Sequence, residues 1–214
     1  MTPAHHPSAD RLVQYAAGAM SPGPRLVIEC HLMACATCRQ EVALAEAIGG
    51  ALLRDVEPEP LSPDALASAL ARIEVPGPGR PRGHAAPIPQ DWIQTPPEIV
   101  DALAKRRRWA APGVWVAPVR READGRRSYL LRVAAGMRVP RHTHKGAEMV
   151  CLLKGSFVDR GMTFGPGDFV ESDEAVDHQP AITREGECVC MVAAESALVP
   201  RDWIGRLFQP LVGI

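Results

Sequence analysis

Hydrophobic residues in the first third of the chain recur at helical spacing. Ser8 is a suitable N-cap for a short helix whose apolar side begins at Leu12, and Gly18 and the proline-rich run that follows end it. A second helix is predicted to begin near Pro24, and a third over 38–54. Ser62, followed by a proline, opens a fourth amphipathic helix. The pattern predicts a small helical bundle.

The pattern changes in the middle of the chain. Residues 75–90 are too rich in proline and glycine for a helix or a central strand, and they predict a boundary between domains. A short helix is predicted at 97–106, and beyond Trp109 the apolar runs are short, β-type and separated by turns, as in a sandwich or barrel. The fold class is therefore multidomain α plus β, with domains at 1–75 and 97–214 joined by a linker at 76–96.

Composition narrows the functional classes. Hydrophobic residues make up 46% of the chain and charged residues 23%, which is typical of folded domains. The formal net charge is −1, so no overall field attracts nucleic acid or an anionic membrane surface. The sequence shows no signal-peptide pattern and no apolar run long enough to span a membrane. We therefore expect a cytoplasmic protein without a direct nucleic-acid or membrane partner.

Three soft metal ligands stand close together in the helical segment. His31 and Cys35 are four residues apart on one helical face, and Cys38 follows about one turn later. Thiolate and imidazole are preferred ligands of zinc, and a structural zinc needs a fourth ligand. His6 is the candidate for it, with the adjacent His5 as the alternative.

Two other interpretations of these cysteines are open. They could be buried core residues or a thioredoxin-like redox pair, although such a pair usually opens a helix after a strand and the residues upstream here look helical. Cys30 lies outside the ligand spacing and is interpreted as core.

The pattern of an upstream histidine followed by His-x3-Cys-x2-Cys resembles that of the zinc-binding anti-sigma factors. His6 precedes His31 by 25 positions, and the setting is a short helical domain, as in that family. The resemblance implies that this domain binds a sigma factor of the extracytoplasmic-function type and blocks its binding to RNA polymerase.

A second constellation lies in the β-rich half. Residues 136–155 fit the pattern G-x5-HxH-x3-E-x6-G, which is the first motif of the cupins. Residues two apart on a strand share a face, so His142 and His144 point the same way, and Glu148 can return across a turn. The resemblance implies a cupin β-barrel, a double-stranded β-helix, with a metal inside.

His178 is the candidate fourth ligand of this second site. The second cupin motif, at 161–178, keeps its Pro-Gly turn but departs from the usual spacing between glycine and histidine. Three imidazoles and a carboxylate can hold zinc, iron, nickel or manganese, and the ligand set does not choose among these divalent metals.

Together the two motifs resemble the ChrR-type anti-sigma factors, in which a zinc-binding helical domain precedes a cupin. This resemblance covers nearly the whole chain. It implies zinc at both sites, inhibition of the sigma factor by the N-terminal domain alone, and release through the cupin in response to singlet oxygen or related oxidants. One chain is expected to bind one sigma factor.

Two alternatives remain. A cupin with these ligands could hold iron and act as a dioxygenase-like metalloenzyme with an accessory zinc domain, although no separate acid, base or substrate motif is evident. Direct DNA binding is disfavoured because residues 1–75 lack a basic cluster and paired zinc-finger spacing.

Several other residues carry weaker signals. Cys188 and Cys190 face the same way on a predicted strand and could sense oxidation, although core packing is the more common role of such a pair. Cys151 is interpreted as structural. The basic run 105–108 fits the solvated end of a helix better than a nucleic-acid contact.

Overall fold

A computed structural model of the chain describes residues 2–74, 89–105, 107–196 and 199–200. Its helices are α1 (Ala9–Ala16), α2 (Pro22–Ala34), α3 (Ala36–Arg54), α4 (Ala65–Glu74) and α5 (Pro97–Lys105). Ser8 caps α1 by accepting a hydrogen bond from the Arg11 amide, and prolines begin α2, where a missing N–H costs nothing. Among the helices of these ranges, none is long and apolar enough to cross a membrane.

The C-terminal half is built from short antiparallel strands. They are β1 (Arg108–Ala111), β2 (Val114–Arg121), β3 (Arg127–Val133), β4 (His142–Thr143), β5 (Glu148–Lys154), β6 (Phe157–Asp159), β7 (Met162–Phe164), β8 (Phe169–Ser172), β9 (Ala181–Ile182), β10 (Cys188–Ala194) and β11 (Val199–Pro200). Six strands form one sheet in the order β1-β2-β3-β10-β5-β8. A three-stranded sheet, β7-β6-β9, and the β11-β4 pair complete the cupin half.

The six-stranded sheet is covered by a core on each face. Every residue of β10 is buried. Val189, Met191 and Ala193 belong to the core shared with the helices, whereas Cys190 and Val192 belong to the core inside the cupin. The sheet is therefore the common wall of both halves of the protein.

Helix α2 lies directly on the outer face of this sheet. Gly23, Val27, Cys30 and Ala34 recur at helical spacing along it, and all four are small. A Cβ atom on Gly23 would lie 3.5 Å from the Cβ atoms of both Ala193 and Ser128, so the helix backbone and the sheet are close. The small residues allow this approach.

The far side of the helical layer is open. Val42 of α3 is buried, as its place in the apolar repeat suggests, but Ile48 and Leu52 of the same repeat are 53% and 64% exposed. Leu66 and Leu70 of α4 are also exposed. The predicted amphipathic helices are therefore present, but much of their apolar surface is exposed to solvent within the described part of the chain.

Most of the predicted linker, 76–88, lies outside the described residues. The part from 89 to 96 runs along the sheet: the Ile93 amide donates a 2.9 Å hydrogen bond to the Leu153 carbonyl, and Lys154 pairs with Asp91. The predicted helix at 97–106 is α5. Of the basic run that follows it, Arg106 lies outside the described residues, and the Arg107 guanidinium stacks 5.4 Å from the Trp115 ring centre.

Truncating the sheet-facing side of α2 should destabilise the whole chain. We expect Val27→Ala to lower the free energy of unfolding by about 2 kcal/mol, because it removes two fully buried methyl groups between helix and sheet. The matched variant Val13→Ala, at a valine that is 55% exposed, should change it by less than about 0.5 kcal/mol.

Chemical denaturation followed by circular dichroism and by tryptophan fluorescence measures both variants. Because the two halves share a core, the two signals should report one transition. Separate transitions, with Val27→Ala moving only the helical one, would show that the halves fold independently.

Candidate metal centres

The first candidate centre lies where the N-terminal segment meets the junction of α2 and α3. His31 occupies the last turn of α2, Cys35 is the residue between the helices, and Cys38 lies in the first turn of α3. The Cys35 sulfur accepts a hydrogen bond from the Cys38 amide, as a capping group does at a helix start. His6 approaches from the extended segment before α1. The structure thus brings together the four residues that the sequence nominated.

The spacing of their ligand atoms suits a tetrahedral zinc. The His6 Nδ1 atom lies 3.4 Å from both cysteine sulfurs, and the His31 Nε2 atom lies 3.3 Å from the Cys38 sulfur. With zinc–sulfur bonds of about 2.3 Å and zinc–nitrogen bonds of about 2.1 Å, tetrahedral geometry separates a thiolate from an imidazole nitrogen by about 3.6 Å. All four ligand atoms lie within 4.8 Å of one another. His5 lies outside this group and faces the Phe164 ring instead.

Burial sets the protonation of this cluster when no metal is bound. Burial and the neighbouring Cys35 raise the pKa of the Cys38 thiol to about 12, and burial lowers the pKa of His31. A bound dication would stabilise the thiolate forms in this buried place, because metal binding displaces the thiol protons. His31 donates its Nδ1–H to the Gly167 carbonyl at 2.7 Å, which leaves Nε2 free to act as a ligand.

The second candidate centre lies inside the cupin half. His142 begins β4, His144 follows that strand, and Glu148 begins β5. His178 forms an isolated bridge with His142, in which each backbone amide donates to the other's carbonyl. All four side chains are buried, and their ligand atoms lie within 4.8 Å of one another.

The imidazoles of this centre are closely grouped. The His178 Nε2 atom lies 3.0 Å from the Nε2 atoms of both His142 and His144. With metal–nitrogen bonds of about 2.1 Å, nitrogens at this spacing subtend roughly 90° at a metal. That angle suits five or six ligands better than a closed tetrahedron, so the site can leave positions open.

Two acceptors outside the ligand set orient the rings. His142 donates its Nδ1–H to the Pro140 carbonyl at 2.7 Å, and His178 donates its own to the buried Asp159 carboxylate at 2.8 Å. Such partners fix the tautomer and increase the basicity of a ligand histidine. Asp159 could not be identified from the sequence, because its only signal there is an acidic residue within an apolar strand.

Burial favours the neutral forms of His142, His144 and Glu148 when no metal is bound, because it lowers the pKa of each imidazole and raises the pKa of the carboxyl. Burial, with the neighbouring His142 and His178, lowers the pKa of His144 to about 4. Burial alone raises the pKa of Glu148 to about 8. A neutral imidazole has a nitrogen lone pair free to bind a metal, and a carboxyl can ionise when a cation arrives, so these groups are suitable ligands for a divalent metal.

A largely apolar cavity extends from these ligands into the cupin. Cys188 and Cys190 line it, and their sulfur atoms lie 3.6 Å apart. The hydrogen bond with Cys188 raises the pKa of Cys190 most. Burial and charge repulsion from Cys188 raise it further. Cys30 and Cys151 are buried in the core shared with the helices, as predicted from the sequence.

Comparisons with known proteins identify a family for each half of the chain. A family model described as the ChrR cupin-like domain matches residues 98–197, and a zinc-finger family model matches residues 8–39. The anti-sigma-E factor ChrR of Cereibacter sphaeroides is 34% identical over 225 residues, a match that spans all of both chains.

A solved structure agrees over the same length. The crystal structure of Rhodobacter sphaeroides SigE in complex with the anti-sigma ChrR contains a chain that is 31% identical, with a TM-score of 0.72, covering 89% of this chain and 98% of that one. The predicted order, a helical zinc-binding domain followed by a cupin, is confirmed.

These matches also decide between a regulator and a cupin enzyme. The relative that is similar over its full length is an anti-sigma factor, which is a regulatory protein and not an enzyme. The chain belongs to the ChrR family of anti-sigma factors.

Proposed function

We propose that this chain sequesters a sigma factor of the extracytoplasmic-function type in the cytoplasm, through its helical layer, and releases it when an oxidant such as singlet oxygen alters the cupin. Zinc at the first centre would hold the helical layer in its binding shape. The cupin centre would hold zinc or another divalent metal and serve as the sensor.

The observation that carries this proposal is the uncovered apolar surface of α3 and α4. Leu44, Ile48 and Leu52 recur at helical spacing on α3, and Leu66, Leu70 and Ile73 do so on α4, all of them more than half exposed. Contiguous exposed apolar surface on a folded protein marks an interaction site. Two helices that present such stripes are suited to inserting into apolar grooves of a partner.

The charge around these stripes indicates the kind of partner. Residues 36–74 contain seven acidic residues and three basic ones. An acidic apolar surface complements a partner surface that is basic and apolar. A protein that binds DNA carries basic surface for its contacts with the phosphates. The partner in the related crystal structure is SigE. A cognate sigma factor, which must present basic surface to DNA, would therefore complement the charge of this surface.

Release requires that the cupin and the helical layer be energetically coupled, typically by about 1–3 kcal/mol. The direct contact of α2 with the sheet that contains Glu148 provides a route for it. Residues of β5 and β10 line the cupin on one face and contact α2 on the other. The coupling therefore does not depend on the proline-rich segment.

The α4 stripe should be needed for sigma-factor binding. Leu70→Glu places a charge at a position that is 51% exposed, so the fold should be retained while affinity for the cognate sigma factor falls at least about 30-fold, as for an interface hot spot. The matched variant Met162→Glu, on the cupin surface at 43% exposure, should bind like the wild type.

Binding is measured by titrating the purified full-length chain against the sigma factor. Equal affinity of the Leu70→Glu variant and the wild type would exclude α4 from the interface.

The two metal centres should have separate roles. Cys35→Ala with Cys38→Ala should abolish inhibition, because the helical layer loses its metal, while Cys30→Ala, a buried thiol outside the cluster, should retain it. His142→Ala and Glu148→Ala should inhibit normally but fail to release the sigma factor. A sigma-dependent reporter, read before and after illumination with a photosensitiser, measures both properties.

Two outcomes would contradict this division. Loss of inhibition in the cupin variants would mean that the cupin takes part in holding the sigma factor. Normal release in those variants would remove the cupin metal from the response.

Asp159 should be needed for tight metal binding in the cupin. Asp159→Asn removes the carboxylate that orients His178, so metal affinity should fall about 10-fold or more, as for other such outer partners. The matched variant Asp124→Asn alters a carboxylate that pairs with Arg126 in the turn between β2 and β3, and should have little effect. Competition with a chromogenic chelator measures both, and equal affinities would show that Asp159 does not support the metal.

A further inference from the structure

One turn of the cupin reaches into the surroundings of the N-terminal centre. Residues 165–168 connect β7 to β8, and we refer to them, together with Phe169 at the start of β8, as the docking turn. Its Asp168 carboxylate accepts hydrogen bonds from the backbone amides of Ala4 and His5, at 2.6 and 2.9 Å. The Phe169 amide in turn donates to the His5 carbonyl. These bonds fix the segment immediately before His6.

The same turn contacts a ligand side chain directly. The Gly167 carbonyl accepts the Nδ1–H of His31 at 2.7 Å, and the ring is completely buried. This bond fixes both the orientation of the ring and the nitrogen that faces the cysteines. Two of the four predicted zinc ligands, His6 and His31, are thus positioned by residues of the cupin.

Packing at Gly167 is too tight for any side chain. Its φ of +89° is a conformation that favours glycine. A Cβ atom there would lie 2.8 Å from Pro3 Cγ and 2.9 Å from Ala34 Cβ. Ala34 immediately precedes Cys35, so the docking turn lies against the N-terminal segment and the α2–α3 junction at the same time.

The docking turn is also fixed to the cupin metal strand. The Gly167 amide donates to the Leu152 carbonyl at 2.7 Å, and the Leu152 amide donates to the Asp168 carbonyl. Leu152 lies on β5, which begins with the cupin ligand Glu148. The strand β8, which leaves the turn, pairs with β5, and its Glu171 binds Arg11 of α1 at 3.0 Å.

We propose that the docking turn is the outer coordination shell of the N-terminal zinc centre, with Gly167 and Asp168 as positioning residues, so that this centre loses zinc more slowly while the cupin is docked against it. The inference rests on the proposed zinc at His6, His31, Cys35 and Cys38. Separation of the turn from α2 would leave His31 without its acceptor and the His6 segment without its anchor. The docking turn is therefore the place where a change in the cupin would alter the helical layer during release.

Cobalt substitution of the full-length chain tests this inference at one centre alone. Cobalt(II) bound by thiolates shows an intense charge-transfer band in the near ultraviolet, which imidazole and carboxylate ligands do not give. The band therefore reports the N-terminal centre even when the cupin also holds cobalt. Its decay after addition of a chelator gives the rate of metal loss.

The first pair of variants separates docking from backbone strain. Gly167→Ala should lose cobalt at least about 10-fold faster than the wild type, in line with other outer-shell changes. Gly161→Ala introduces the same side chain at a φ of +78° in the same cupin, with no atom within 4 Å of the new Cβ. It should lose cobalt at the wild-type rate.

A second pair tests the carboxylate without changing the backbone. Asp168→Asn should also accelerate cobalt loss. Each carboxylate oxygen accepts hydrogen bonds from backbone amides, and the substitution replaces one of these oxygens by an NH₂ group, which can only donate. Asp124→Asn is its control, since Asp124 accepts the Arg126 amide within its own turn. This pair keeps the test decisive if Gly167→Ala does not fold, as judged by circular dichroism.

The outcomes distinguish the inference from the zinc site on which it rests. Absence of the thiolate band in the wild type would overturn the proposed N-terminal metal. A normal band with wild-type rates in folded Gly167→Ala and Asp168→Asn would overturn the docking turn as outer shell, and leave the metal site standing. Faster loss in these two variants alone would support it.

Discussion

The close contact of α2 with the six-stranded sheet is the interaction on which the rest of the structure depends. It is possible because the row from Gly23 to Ala34 is small, and larger side chains there would hold the helix away from the sheet. The contact seals the outer face of β10 and β5. It also brings the end of α2, with His31, to the docking turn of the cupin. One packing surface therefore serves both stability and the placement of a metal ligand.

This arrangement changes the expected relation between the two halves. The sequence predicted two domains joined by a linker rich in proline and glycine. In the structure the halves meet over a shared core and through the hydrogen bonds of Asp168 and Gly167. A signal that begins at the cupin metal can reach the helices across packed elements, which have discrete arrangements and transmit small shifts well.

The sequence was informative where a site is built from residues close in the chain. The spacing of His31, Cys35 and Cys38 on neighbouring helix ends, and of His142 and His144 on one strand, places each set together whatever surrounds it. His6 and His178 come from farther away and were nominated through family resemblance and position. Their grouping with the other ligands in space depends on tertiary contacts that local patterns do not encode.

The remaining features could not be predicted for related reasons. Asp159, Gly167 and Asp168 act through partners from 19 to 164 positions away, and an isolated acidic residue or a Pro-Gly turn has many ordinary uses. The exposure of Ile48 and Leu52 was also not predictable, because an apolar helical stripe looks the same whether it is covered by its own chain or by another protein.

The burial of β10 on both faces places a constraint on how this protein can vary. Its odd-numbered residues face α2 and its even-numbered residues face the cupin interior. Insertion or deletion of a single residue in the strand would exchange the two sets at once, moving the thiols of Cys188 and Cys190 into the helical interface and Met191 into the metal cavity. Substitutions of similar size can be absorbed one at a time, but changes of length cannot. Among homologues, β10 should therefore be free of gaps even where the loops on either side differ in length.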